Sequence, residues 1–234
     1  MWRALASFFF LLLLIPARSA SGQLHEGSIR GSVLTADGAA VSDAHVSAEA
    51  MQGSTILTVL EVNTDDMGMF VFSGLAPGEY RVSAEKQEAG YLSTRPDVFI
   101  PKAPLTVVLT SETQSVTTDI RFAPKAGNIT GWVRDSATGR AIAAHLSLAP
   151  ASHHGGWETT GTNPQYPFHL QIPADLPVRF GACAEGYKLW FYADPSNPFQ
   201  PSAIQLRPGG TKEIEIRLER NPEGTPMPCL SGRY

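Results

Sequence analysis

Gly27-Ser-Ile-Arg-Gly-Ser-Val33 and Gly127-Asn-Ile-Thr-Gly-Trp-Val133 stand 100 residues apart, and their reading decides the fold. Both alternate with period two, the pattern of a half-buried strand. In the first, Ile29, Gly31 and Val33 point inward while Arg30 and Ser32 point outward. In the second, Thr130, Trp132 and Arg134 are the outward set. The same offset lays Asp43-Ala-His-Val-Ser47 over Ala143-Ala-His-Leu-Ser147, which turns Ala44, Val46 and Ala48 inward and His45 and His145 to solvent. Further along, Phe70-Val-Phe72 answers Phe168-His-Leu170, Arg81-Val-Ser-Ala84 answers Arg179-Phe-Gly-Ala182, and Ala89-Gly-Tyr91 answers Glu185-Gly-Tyr187. Self-similarity of this kind predicts a duplicated unit.

Turn residues recur about every ten positions and no helical periodicity follows the first segment, so the expected fold is all-β. We expect two tandem antiparallel β-sandwiches of about seven strands each. The domains are placed at 23–123 and 124–220, joined by the short seam Ala123-Pro-Lys-Ala126 and followed by a proline-rich tail at 221–234. The expected apolar faces also include Tyr80, Val82, Ala84, Ile120 and Phe122 in the first unit. In the second they include Ile172, Val178, Phe180, Ala182, Ile214, Ile216 and Leu218. The 234-residue chain is 43% hydrophobic and 17% charged with 21 glycines and 18 prolines, which excludes a disordered chain, a coiled coil and collagen. A formal charge of −4 excludes broad electrostatic binding of nucleic acid.

Residues 1–22 open with Arg3, run apolar from Leu5 to Ile15, break at Pro16 and close on Ser19, Ala20, Ser21 and Gly22. This is the pattern of a secretory signal peptide, too short in its apolar core to span a bilayer. Cleavage is expected after Gly22, leaving no membrane span and a secreted or periplasmic product.

Thr64-Asp-Asp-Met-Gly-Met-Phe70, then Val71-Phe-Ser-Gly-Leu75, then Ala76-Pro-Gly-Glu-Tyr80 resembles the signature of the carboxypeptidase regulatory-like domain. The resemblance covers most of residues 27–122, and the region 127–220 is similar to it more loosely. It implies a transthyretin-like sandwich that serves as an accessory or adhesive module of secreted and surface proteins and is not itself catalytic. On the residues alone, Asp65 and Gly68 suit a tight hairpin whose positive-φ position glycine fills, and Pro77-Gly78 makes the next turn.

Few residues suggest chemistry. His153 and His154 are adjacent, with Glu158 and His169 downstream, but neighbouring histidines on a strand face opposite ways and Ala149–Gly156 reads as a loop, so no metal is expected. Asp65 and Asp66 lack the oxygen-rich loop that calcium needs. No nucleophile elbow or phosphate loop is present, and neither catalysis nor a cofactor is expected. Asn128-Ile-Thr130 fits a glycosylation sequon. The aromatics Trp132, Trp157, Trp190 and Tyr192 are the candidate ligand-binding residues, as stacking platforms or as plugs of the sandwich and its junction. Alternation sends Cys183 outward, where Cys229, 46 residues on, is expected to bridge to it.

The sequence therefore points to a non-catalytic structural or protein-interaction module. Its expected partner is an envelope or extracellular protein docked on edge strands or loop tips. The alternative is polysaccharide binding through the aromatics of the second unit.

Overall fold

The structure, a computed structural model, describes residues 27–97, 99, 103–152, 158–193 and 201–221. The signal segment, His153, His154, Trp157 and Cys229 lie outside these described residues. In chain order the first half contributes β1 (Gly27–Leu34), β2 (His45–Gln52), β3 (Thr55–Asn63), β4 (Met69–Leu75), β5 (Gly78–Glu85), β6 (Leu105–Leu109), β7 (Ser115–Thr117) and β8 (Ile120–Arg121). The second half contributes β9 (Gly127–Asp135), β10 (His145–Pro150), β11 (Glu158–Gly161), β12 (Phe168–Ile172), β13 (Val178–Cys183), β14 (Trp190–Phe191), β15 (Ala203–Ile204) and β16 (Thr211–Leu218).

These strands form two β-sandwiches. In the first, a sheet ordered β4-β1-β7, with β8 also on β1, faces a sheet ordered β3-β2-β5-β6. In the second, β12-β9-β16 faces β11-β10-β13-β14, with β15 also on β13. Each pair of sheets encloses its own apolar cluster, one built on Ile29, Val46, Phe72 and Val82 and the other on Ile129, Leu146, Phe180 and Ile216. The inward residues are those the alternation predicts, because each strand has one face against the opposing sheet. Pairing is antiparallel except at the closing strands: β7 and β8 run parallel to β1, and β16 runs parallel to β9.

Expected strand 116–122 divides at Thr118-Asp119, opposite Gly31. Thr118 donates its N–H to the Arg30 carbonyl at 2.8 Å, and a Cβ built on Gly31 would stand 1.6 Å from the Thr118 carbonyl oxygen. Gly131 repeats the arrangement, with a Cβ 1.8 Å from the Ile214 oxygen. Phe70 and Phe168 press on these glycines from the neighbouring strand, so only a residue without a side chain lets the central strand meet its closing partner.

Turn chemistry also agrees with the sequence. Gly68 holds φ +74°, and the Asp65 carboxylate accepts the N–H groups of Met67 and Met69 at 2.9 and 2.8 Å. A threonine latch recurs where the chain enters the second strand of each sandwich. Thr64 Oγ1 accepts the Ala44 N–H at 2.8 Å, and Thr162 Oγ1 accepts the Ala144 N–H at 2.9 Å.

The sandwiches meet through the segment that follows β5. Ala126 donates to the Gly90 carbonyl at 2.8 Å, Gln171 donates its side-chain amide to the Gln87 carbonyl at 3.1 Å, and Phe99 packs on the second apolar cluster. Tyr91 stacks on Phe122 at 4.9 Å, and the Lys125 ammonium lies 5.6 Å from the Tyr91 ring centroid.

Urea unfolding of Gly31→Ala and Gly131→Ala is expected to show losses of about 3 kcal/mol each, the upper range for overpacking. Gly139→Ala, where φ is +69° but nothing lies within 4 Å of the new methyl, is expected to lose only about 1 kcal/mol.

Candidate interaction surface

β3 lies at the edge of its sheet and pairs only with β2 among the described residues. β4 is the edge of the opposing sheet and lies beside it, so the two form one flank of the first sandwich. That flank is apolar and exposed: Leu57 at 61%, Val59 at 47% and Val71 at 55%, with Ile56, Met67 and Met69 around them. A bulge at Ala50/Met51 opposite Ile56 to Thr58 shifts the alternation, which adds Leu57 to the exposed set. Glu61 is the single charged residue in β3 and β4, so this edge lacks the lysines and prolines that commonly protect such strands.

The outer face of β2 is polar and partly roofed. Ser47 and Glu49 are buried although alternation turns them outward, because the segment 93–97 folds over them. Arg95 pairs with Glu49, and Arg95, with His45, Ser47, Glu61, Ser83 and Asp97, lines a cleft of about 410 Å³. His45 contacts Asn63 Oδ1 at 3.3 Å and Glu61 Oε1 at 3.6 Å, while Ser47 hydrogen-bonds the Ser83 hydroxyl at 2.9 Å. The histidine and the serine thus engage different partners and do not form a base and nucleophile pair in this arrangement.

The candidate aromatics do not assemble into one platform among the described residues. Tyr192 is buried in the second core, with the Lys212 ammonium 5.3 Å from its ring centroid. Trp190 packs edge-on against Phe180 at 5.8 Å. Trp132 faces outward on β9 and is half-buried, with the Arg134 guanidinium 5.3 Å from its ring centroid. A cleft of about 390 Å³ on this sandwich is lined by Phe191, Tyr192, Pro201, Ala151 and Arg179. Cys183, at an outward position by alternation, is only 4% exposed at the end of β13. No cluster of three potential metal ligands occurs among the described residues, where Asp65 serves its hairpin and His169 is exposed on β12.

A buried carboxylate that periodicity does not single out organises the far end of the second sandwich. Asp135 ends β9 at 2% exposure and caps the following turn by accepting the Ala137 and Thr138 N–H groups at 2.9 and 2.8 Å. Its other oxygen accepts the Tyr187 hydroxyl and the Arg220 Nε, both at 2.8 Å. The Tyr187 hydrogen bond, the Thr138 backbone N–H and the Arg220 bond hold this carboxyl well below the usual carboxylate range, outweighing its desolvation. Lys188 donates its N–H to the Glu219 carbonyl, and Asn221 to the Gly186 carbonyl, so 219–221 is clasped to the loop after β13. The one sequence cue is the turn Asp135-Ser-Ala-Thr-Gly139.

Residues 28–112 match the family model of the carboxypeptidase regulatory-like domain. No curated protein matches the chain in sequence. Among solved structures, the minor pilin GBS52 of Streptococcus agalactiae aligns at 11% identity over 89% of this chain and 100% of that one, with TM-score 0.38. A streptococcal ancillary pilin aligns at 14% identity over 86% of this chain and 64% of that one, TM-score 0.37. The Bacillus anthracis TIE protein aligns at 14% identity over 84% and 34%, TM-score 0.34, so the chain spans about a third of that protein's length.

Because the Asp135 carboxyl is depressed in the folded protein, its contribution is complete above the unfolded value near 4, declines progressively below it, and is gone only once pH has fallen through the depressed folded value. The stability difference between wild type and Asp135→Asn, followed by urea unfolding, is expected to be constant from pH 7 to about pH 5 and to shrink toward pH 3.

Proposed function

We propose, taking residues 28–112 as a carboxypeptidase regulatory-like domain, that this chain is an exported, non-catalytic module that docks a protein partner at the cell envelope. The observation that carries the reading is the β3 edge, which has no strand partner beyond β2 among the described residues, with its exposed Leu57 and Val59 beside Val71. An unpaired strand offers a row of backbone donors and acceptors, and neighbouring apolar side chains add affinity and register to an incoming strand. The apolar opening of the chain supports export, and no helix among the described residues is long and apolar enough to cross a membrane.

We read the second sandwich as a divergent copy of the first, with boundaries at 23–123 and 124–220. Matching strand orders, the paired glycines 31 and 131 and the paired threonine latches support this. The chain's two cysteines form a bridge in the same reading, tying the tail to the end of β13. That cross-link is worth roughly 4 kcal/mol in the chain-entropy model. A thiol assay on the native secreted protein is expected to find no reactive thiol, and two would overturn the bridge. Polysaccharide binding has weaker support, since Tyr192 is in the core and Trp190 leans on Phe180.

The docking test compares wild type with Val59→Lys, which places a charge on the β3 edge without entering the core. Envelope proteins that co-purify with wild type are expected to be lost with the variant, while both proteins keep the same urea midpoint. Equal recovery by both would move the docking surface away from β3. A saturable change in tryptophan emission with a soluble glycan, lost in Trp190→Ala, would favour the polysaccharide alternative.

A further inference from the structure

The segment that follows β5 crosses to the second sandwich and leaves a cleft on each side of its contact. One, of about 660 Å³, runs along the β11/β12 flank and is walled in part by Leu92, Phe99 and Pro173. The other, of about 500 Å³, opens on the outer face of β12, β9 and β16 beside Lys125. Gln87, Glu88, His169 and Gln171 line both, so the two are parts of one trough that bends around the turn at Gln87. Each part falls within the roughly 300–1,000 Å³ of small-ligand sites, which favour junctions between folded units.

The walls are fixed by the chain itself. Ala126 donates its N–H to the Gly90 carbonyl at 2.8 Å, and Gly209 donates its N–H to the Lys125 carbonyl at 3.3 Å. The Gln171 amide, bonded to the Gln87 carbonyl at 3.1 Å, crosses the waist of the trough. A site held in this way loses little freedom when it is filled.

The chemistry of the lining selects the ligand. Its carboxylates and its lysine are engaged with the protein: Glu88 lies 3.4 Å from the Lys86 ammonium, Asp97 accepts the Phe99 N–H at 2.8 Å, and the Lys125 ammonium lies 5.6 Å from the Tyr91 ring centroid. An ionic ligand would compete for charges already paired. The other polar groups are amides, hydroxyls and an imidazole, and strand register sets them in rows. Gln171, Asn128 and Thr211 stand side by side across three strands, and His169 stands beside Thr130 in the next row. Neighbouring strands are about 5 Å apart, the scale of one sugar ring. Amides and hydroxyls both donate and accept, as sugar hydroxyls do, and the apolar walls suit the C–H faces of a pyranose.

We propose that this trough binds a neutral oligosaccharide chain, with Gln171, Asn128 and Thr211 bonding its hydroxyls and Leu92 and Phe99 covering its ring faces. The proposal is independent of the β3 docking reading. It also seats a glycan away from Trp190 and Tyr192, which line neither part of the trough.

Calorimetric titration of the mature chain with the neutral hexasaccharides of cellulose, xylan, mannan, starch and chitin is the test. At least one is expected to bind saturably, with an affinity that added salt does not change. Gln171→Ala and Thr211→Ala are each expected to weaken it about 10-fold, the scale of a lost hydrogen bond or two. Thr211 is on β16, apart from the Gln171 to Gln87 contact, so its loss reads the trough without loosening that bond. Val59→Lys and Trp190→Ala are expected to bind as wild type does. Absence of binding with every hexasaccharide would overturn the proposal, and so would binding abolished by salt or unchanged in both trough variants. Binding lost in Trp190→Ala but kept in the trough variants would return the glycan to the aromatics. Failure of any of these leaves the envelope co-purification comparison, which reads the β3 edge, to decide the docking reading separately.

Discussion

Among the glycines of each sandwich the tightest approach is at Gly31 in one and Gly131 in the other, and the closing of each sheet depends on it. A sandwich is held by the burial of two sheet faces, but burial is nondirectional and does not decide which strand closes a sheet. The glycine supplies that decision. It lets the last strand of each unit run parallel against the first, so the central strand has partners on both sides and its inward residues are sealed from water. Phenylalanine then fills the space above the glycine, Phe70 over Gly31 and Phe168 over Gly131. The two ends of each unit are thereby joined in one sheet, and the opposite flank ends in the edge strands β3/β4 or β11/β12.

That division explains why the two flanks differ. In the second sandwich the flank is occupied from within the chain by the segment around Gln87 and Phe99, and its exposed positions are threonine, histidine and glutamine. In the first sandwich nothing among the described residues covers β3, and its exposed positions include Ile56, Leu57 and Val59 beside Thr55, Thr58, Glu61 and Asn63. The surface chemistry thus varies with position in the tandem while the scaffold stays the same. The polar cleft on β2 follows the same logic, since the segment that crosses to the second sandwich first roofs Glu49 and positions Arg95 over it.

Period-two alternation was enough to place the inward residues from Ile29 to Leu218, because strand parity is a local property that a single opposing sheet converts into burial. What escaped it came from long-range covering. Ser47, Glu49 and Cys183 occupy outward positions yet are buried, since other chain segments cross those faces and alternation carries no record of them. Asp135 is an ordinary turn residue until Tyr187 and Arg220, 52 and 85 residues later, converge on its second oxygen. The exposed apolar row on β3 was hidden for a different reason: a run of isoleucine, leucine and valine reads as core until the bulge at Ala50/Met51 and the edge position reveal which side lacks a neighbour.

The parallel closing strands also set how the chain bears tension. β9 begins the second sandwich and β16 ends it, and the two lie parallel over eight register positions. A pull on the ends of this unit draws them past one another lengthwise, loading the ladder together as a shear instead of opening it one bond at a time. In the first sandwich the same role is divided between β7 and β8, which meet β1 over three and two positions with Thr118 and Asp119 interrupting them. The second sandwich thus presents the longer unbroken parallel ladder to such a load, while the first carries it over two short strands with Thr118 and Asp119 tied to β1 between them.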